Sequence, residues 1–289
     1  MTEKIGFIGM GIMGQPMAAN LVTKGYAVMV YNRSADKTKL LADLGAKVAM
    51  TPKEVGEWAQ VVFLMLTGPE AINDTLRGPD GLLAGLPSGG VIVNMSTVPP
   101  AYSRTLAGDL AQQGITLIDA PVSGSKKPAE EGTLVILASG PEEAVNQLES
   151  VFLGMGKKVV YCGIAGNGSA MKMTVNLLLG AMMAGLSEAV QFGERCGLGA
   201  DIIINTILSS PLGCGLYNLK AEMLRNNQFP AQFPLKHMFK DLGFVLETAE
   251  QHHTKTPLGN AVYALYQQGM AAGLGEMDFA AVKKVLAAM

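Results

Sequence analysis

Lys4-Ile5-Gly6-Phe7-Ile8-Gly9-Met10-Gly11-Ile12-Met13-Gly14 is the stretch that decides the fold. Ile5, Phe7 and Ile8 make an apolar run of strand length. The run breaks into a glycine loop from Gly9 to Gly14, and a helical pattern follows from Pro16 through Leu21. Strand, G-x-G-x-x-G, helix is the order of a βαβ unit built to hold a dinucleotide. Gly9 suits the tight turn, and Gly11 lets the backbone approach a pyrophosphate. Gly14 lets the helix pack on the strand, with its N-terminus facing the anion. Met10, Ile12 and Met13 complete that surface. A second strand, Ala27–Tyr31, falls at the spacing the unit needs.

Outward from this loop, short β-rich runs alternate with helical segments as far as about Cys162. The spacing predicts strands at 5–8, 27–31, 61–66, 91–94, 116–119, 133–138 and 159–161, with helices such as 35–44 and 102–112 between them. Near-continuous apolar strands in such alternation imply a doubly wound, mainly parallel α/β sheet. After Gly163 the texture changes. Gly166-Asn167-Gly168-Ser169 reads as linker and cap, and an apolar, Met-rich run continues to about Cys196. No strand-like alternation returns. Residues 1–164 are therefore expected to form the dinucleotide-binding domain and 165–289 an all-α domain. The second domain is entered by one long helix of about 25 residues, some 38 Å. Met171, Met173, Met182 and Met183, at helical spacing, read as core or subunit interface.

The 289 residues suffice for two medium domains, and a net charge of −2 offers no footprint for nucleic acid. Charged residues recur through the apolar stretches, so none of those stretches is expected to reach bilayer-spanning length without a charge. The chain enters a strand almost at once, so no cleavable leader is expected. Cys162, Cys196 and Cys214 are odd in number and lack metal-ligand spacing, as expected of thiols in a reducing cytoplasm. The histidines form no metal or triad site.

The second strand ends in Tyr31-Asn32-Arg33-Ser34, with no carboxylate where a version of this fold selective for NAD places one. A guanidinium there suits a 2′-phosphate. Ser34 adds a hydroxyl and Lys37 a second cation, so NADPH is the expected cofactor. Asp36 is the one carboxylate close enough to reach the ribose instead. At later strand ends, Met65 and Leu66 are expected to line the cofactor and Thr97 to lie near the nicotinamide. Ser123 and Gly124 form either an anion-holding turn for a substrate carboxylate or an ordinary turn. Lys172 lies among apolar residues near a helix start, four positions before Asn176 and on the same face. Held there in the first turn, facing the positive end of the helix and partly desolvated, its ammonium is expected to have a lowered pKa that suits proton transfer. Lys240 and Asp241, after Phe233-Pro234-Leu235-Lys236-His237, read as the start of an amphipathic helix running to Ala249.

G-F-I-G-M-G-I-M-G, D-A-P-V-S-G-S, G-x-x-x-K-x-x-x-N and the later Lys240-Asp241 occur in the order seen in the β-hydroxyacid dehydrogenase family, which the whole chain resembles. Ser123–Glu130 and Phe233–Asp241 are most similar to the glyoxylate/succinic semialdehyde reductases. The 3-hydroxyisobutyrate and tartronate semialdehyde enzymes commonly carry a second Gly where Ser125 stands. The resemblance implies a Rossmann domain and NADPH-dependent reduction of short aldehyde acids, with Lys172 as the catalytic residue. It also implies Ser123, Gly124 and Asn176 at the substrate, with Phe233, Lys240 and Asp241 closing the site, Thr97 beside the cofactor, and a homodimer or homotetramer. Lys240 belongs to both the substrate and the cofactor set. The rivals are a 3-hydroxyisobutyrate or tartronate semialdehyde oxidoreductase and, from another class, a non-enzymatic cofactor-binding module.

Overall fold

The computed structural model describes residues 4–289; residues 1–3, assigned above to the first domain, lie outside the described residues. Two compact units are present, one running to Lys172 and one covering Met173–Met289. In the first, strands β1 (Lys4–Ile8), β2 (Ala27–Tyr31), β3 (Lys47–Val48), β4 (Val61–Leu64), β5 (Val91–Asn94) and β6 (Thr116–Asp119) form one parallel sheet. Its order is β3-β2-β1-β4-β5-β6. That order reverses direction at β1, and open sheets bind ligands at the carboxyl ends beside such a reversal. The helices of this unit are α1 (Gly14–Thr23), α2 (Lys39–Asp43), α3 (Pro52–Trp58), α4 (Pro69–Leu76), α5 (Pro100–Ala111), α6 (Lys126–Glu130), α7 (Glu142–Gln147) and α8 (Glu149–Met155).

Successive side chains of a strand point to opposite faces, and both faces of this sheet are covered. Ile5 and Phe7 pack with Met17 and Leu21 of α1 and Phe152 of α8. Ile8 and Val62 pack on the other side with Val55 of α3 and Leu106 of α5. Phe7 stacks on Phe63, which meets Phe152 edge-on, each at 6.0 Å between ring centres.

Several expectations need correction. Strands β8 (Leu134–Ala138) and β9 (Gly156–Tyr161) leave the main sheet and join the short β7 (Val122–Ser123) in a separate three-stranded sheet, with β7 antiparallel. β8 is as well buried as the central strands of the main sheet, so its composition does not distinguish it, whereas β9 keeps Val159 and Val160 only half-buried. The fourth strand stops at Leu64 because the chain turns through Gly68-Pro69 into α4. The helix expected at 35–44 begins as a 3₁₀ turn over Ala35–Thr38, where the Thr38 hydroxyl bonds the Ala35 carbonyl at 2.7 Å. The two-residue β3, exposed at both positions, carries too little pattern to be foreseen.

The second unit is helical, as expected: α9 (Asn167–Arg195) continues into it from the first, followed by α10 (Ala200–Ser209), α11 (Gly215–Asn226), α12 (Leu235–Gln251), α13 (Pro257–Ala271) and α14 (Val282–Ala288). Met183, Val190, Leu224, Met238, Leu242 and Tyr266 form its core. Of the methionine stripe, Met173 and Met183 are buried and Met171 is exposed. By length and composition α9 could cross a bilayer; 44% of its most apolar window is buried here, and its uncharged run ends at Ser187.

Candidate functional site

The glycine loop fits a dinucleotide. Gly9 has φ +104°, a left-handed conformation that disfavours a side chain. A Cβ on Gly14 would strike the Gly9 carbonyl oxygen, so this glycine is required by the protein's own packing. Gly11 differs: a Cβ there would meet nothing within 4 Å. What Gly11 leaves open is a space for something outside the chain. Met13 caps α1 with no side-chain hydrogen bond and the first turn holds no acid, so the positive helix end stays available to a phosphate. The other fingers of this edge gather round the loop. The Met65 carbonyl and Leu66 side chain lie against Gly9, and the Met10 N–H donates to Asn32 Oδ1 at 2.9 Å. Asn32 Nδ2 donates to the Ser34 carbonyl at 2.9 Å, so this amide braces the loop that presents Arg33. Arg33, Ser34 and Lys37 are exposed. Asp36, the carboxylate that could have served a ribose, pairs with Lys39 at 2.9 Å.

One brace at this edge escapes sequence reasoning. The Leu66 N–H donates to Ser96 Oγ at 2.9 Å, and the Ser96 N–H donates to Asn94 Oδ1 at 3.1 Å. Ser96 and Asn94 are fully buried, and they lock the Met65–Leu66 turn to the one that carries the half-buried Thr97. The signal was present in Asn94-Met95-Ser96-Thr97, where two polar residues interrupt an apolar strand end.

Ser123 ends β7 opposite Val135, and Gly124 follows with φ +138°. A Cβ on Gly124 would stand 2.6 Å from Leu134 Cδ2, so both backbone and packing demand glycine. The turn stays half-open: Ser123 is partly buried and Gly124 exposed.

The start of α9 is built by a carboxylate from elsewhere. Asp119, at the end of β6 and fully buried, accepts the Ser169 N–H and the Ser169 hydroxyl at 2.8 Å each. Ser139 Oγ lies 3.3 Å from the same carboxylate, and Ser103 Oγ lies 3.0 Å from Ser169 Oγ. Burial pushes the Asp119 pKa up, and these hydrogen bonds partly offset it. Because Asp119 supplies the cap, the helix begins at Asn167 and the expected linker is its first turn. Lys172 accordingly lies in the second turn, not the first, and is 8% exposed.

One turn further along α9 stands Asn176, in the helical unit. Its Nδ2 donates to Asp241 Oδ2 at 2.8 Å, and Lys240 Nζ lies 2.9 Å from Asp241 Oδ1. An ionised carboxylate accepts only, so the amide must turn its NH₂ to Asp241. Asn176 Oδ1 is then left as a buried acceptor without a hydrogen bond among the described residues. Lys240 and Asp241 lie in the second turn of α12, which starts at Leu235, earlier than the sequence pattern suggested. Phe233 belongs to a different cluster. Its ring stacks on His237 at 6.3 Å and meets Phe279 edge-on at 5.6 Å. Burial and then the Lys240 charge lower the His237 pKa, with Asp241 opposing.

Each unit matches a known family model. The NAD binding domain of 6-phosphogluconate dehydrogenase matches residues 4–163, and the model described as NAD-binding of NADP-dependent 3-hydroxyisobutyrate dehydrogenase matches 166–286. Glyoxylate/succinic semialdehyde reductase 2, chloroplastic, of Arabidopsis thaliana is 38% identical over 287 residues, covering 99% of this chain and 80% of that protein. Glyoxylate/succinic semialdehyde reductase 1 of the same plant is 33% identical over 279 residues, 96% of each. Among solved structures, Psf3 in complex with NADP+ and 2-OPP is similar with a TM-score of 0.91 at 27% identity, covering 98% of this chain and 99% of that one.

Proposed function

The chain belongs to the β-hydroxyacid dehydrogenase family of NAD(P)-dependent oxidoreductases, and from that premise we propose that it reduces short aldehyde acids with NADPH. Succinic semialdehyde would become 4-hydroxybutyrate, and glyoxylate would become glycolate. The observation that carries this reading is Lys172, an amine 8% exposed in the second turn of α9. Lysine is seldom enclosed so far unless its ammonium has a partner, and a substrate's carbonyl oxygen would be one.

Bound at this edge, a reduced nicotinamide would supply hydride for the carbonyl carbon. The chain's own residues supply the rest. Arg33, with Ser34 and Lys37, would meet the 2′-phosphate, and Gly11 with the uncapped start of α1 would hold the pyrophosphate. Ser123 Oγ and the Gly124 backbone grip the carboxylate of the substrate, and that orientation makes the transfer effectively unimolecular. Lys172 Nζ faces the carbonyl oxygen. It offsets the negative charge that grows there and then gives up a proton to make the hydroxyl. Asn176 Oδ1 can only accept, so it suits the Lys172 ammonium or the product hydroxyl rather than an alkoxide. Asp241 holds that amide in place, and Lys240 and Phe233 complete the substrate set.

The similarity to two reductases of aldehyde acids supports the substrate class, and Ser125 speaks for it over the 3-hydroxyisobutyrate and tartronate semialdehyde enzymes. Steady-state assays of glyoxylate, succinic semialdehyde and 3-hydroxyisobutyrate, each with NADP(H) and NAD(H), test it. Turnover of the two aldehydes with NADPH is expected. Preferential oxidation of 3-hydroxyisobutyrate with NAD+ would replace this reading with the neighbouring one, and no turnover of any would end it.

A further inference from the structure

The helical unit buries an ion pair that the proposed reaction does not use. Lys220 on α11 is 2% exposed and Asp278 is fully buried, with the ammonium 2.8 Å from each carboxylate oxygen. Burial lowers the Lys220 pKa, and Asp278 draws it back up. Pairs this deep seldom return their desolvation cost as stability alone, which directs attention to what the carboxylate holds.

It holds the segment that carries Phe233. Asp278 Oδ2 accepts the backbone N–H groups of Gln232 and Phe233 at 3.0 Å each, and Oδ1 accepts the Ala280 N–H at 3.1 Å. The two segments also bond directly. The Phe279 N–H donates to the Phe233 carbonyl at 2.9 Å, and the Leu235 N–H to the Met277 carbonyl at 2.8 Å. The Lys220 ammonium stands 4.9 Å over the Phe279 ring, and that ring abuts Phe233. Only an ionised carboxylate has enough lone pairs for two amides on one oxygen, a third amide on the other and an ammonium across both. The backbone at Phe233 is thereby fixed from three sides: by Asp278, by the bond to Phe279, and by the ring beneath it.

We propose that Asp278, locked by Lys220, is a positioning residue that presents the Phe233 ring to the aldehyde acid and so sets substrate affinity. This rests on the reading of Phe233 as a substrate contact given above. Neither Asp278 nor Lys220 touches the reacting atoms. Their loss should therefore appear in substrate KM, leaving the chemical step and the cofactor alone.

The test uses full-length protein carrying Asp278→Asn, or the charge-balanced pair Lys220→Met with Asp278→Ala, each alone and combined with Phe233→Leu. KM for succinic semialdehyde is expected to rise about tenfold, with kcat and the KM for NADPH changed by less than about twofold. On the Phe233→Leu background neither change should add further, because the ring through which they act is gone. Hydrogen exchange should show the Gln232 and Phe233 amides losing protection while α12 keeps its own. An unchanged KM, additive effects, or a parallel rise in the KM for NADPH overturns the proposal. So does loss of protection throughout α12 in both the Asp278→Asn protein and the double variant, which would make the pair a folding element only. If the wild-type protein reduces no aldehyde acid, the reading of the reaction fails, and exchange at Gln232 and Phe233 still decides whether the clamp exists.

Discussion

Gly11 and Gly14 are three residues apart in one loop, and the cost of a methyl group differs between them for different reasons. A Cβ at 14 runs into the Gly9 carbonyl, whereas a Cβ at 11 enters open space. Gly14→Ala should cost about 1–3 kcal/mol and lower Tm by several degrees, as overpacking does. Gly11→Ala should leave Tm unchanged and weaken NADPH binding by about tenfold or more, since only the ligand needs that space. Calorimetry and a fluorescence titration separate the two, and an equal loss of stability in both variants would mean the loop is merely a turn. Arg33 gives a second contrast. Arg33→Asp should cut kcat/KM with NADPH by about 10²-fold or more and that with NADH far less, because it removes a charge-assisted contact and sets an anion against the 2′-phosphate. Equal losses with both cofactors would remove Arg33 from that site. Lys172→Ala should lower kcat by about 10²–10⁴ with little change in cofactor affinity, and an unaltered turnover number would strike it from the mechanism.

At the scale of the element, α9 shows how much a sequence discloses and where it stops. The helix itself was legible, as were the strands of the main sheet other than the two-residue β3, because apolar runs and the glycine loop are local signals. Its start was not. The cap that lets it begin at Asn167 is Asp119, fifty residues away from the Ser169 it binds, and no local pattern points to that. The same limit hid the Asn94–Ser96 brace and the departure of β8 and β9 into their own sheet. Lys172 could be singled out from its apolar neighbours, but its turn of the helix could not. Asp119 also predicts a pH dependence. Its folded pKa is raised, so between the ordinary carboxylate value and the raised one the folded state keeps a proton that the unfolded chain has lost. The contribution of this group is therefore greatest below the ordinary value and declines as pH climbs through that window. Asp119→Asn mimics the protonated form and lacks this decline. The Tm deficit of the variant should be largest near pH 4 and shrink toward neutrality. A deficit that grows with pH would show the hydrogen bonds from Ser169 and Ser139 outweighing burial.

At the scale of the molecule, one surface feature is out of proportion to a monomer. Met171, Leu178, Gly185 and Phe192 recur every seven residues along α9, which places them in one stripe. Met171 is 41% exposed, Leu178 61% and Phe192 72%, and Ile202 at the start of α10 is 62% exposed. Gly185 lies within the stripe with open space where a Cβ would project, so a second backbone can come close. A contiguous apolar stripe of this kind usually meets a partner, and a second copy of the chain supplies the same stripe in return. We therefore expect a homodimer or homotetramer. Sedimentation at micromolar concentration should give a mass of two or four chains. Leu178→Glu with Phe192→Glu should shift it to one, because each apolar side chain returned to water costs about 1.5–3 kcal/mol and the symmetry of the contact counts every loss twice. That corresponds to self-association weakened by at least about a hundredfold. The first unit should keep its Tm in that variant, since neither residue enters its core. A wild-type protein that sediments as a single chain would leave the stripe without a function and withdraw the expectation of an oligomer.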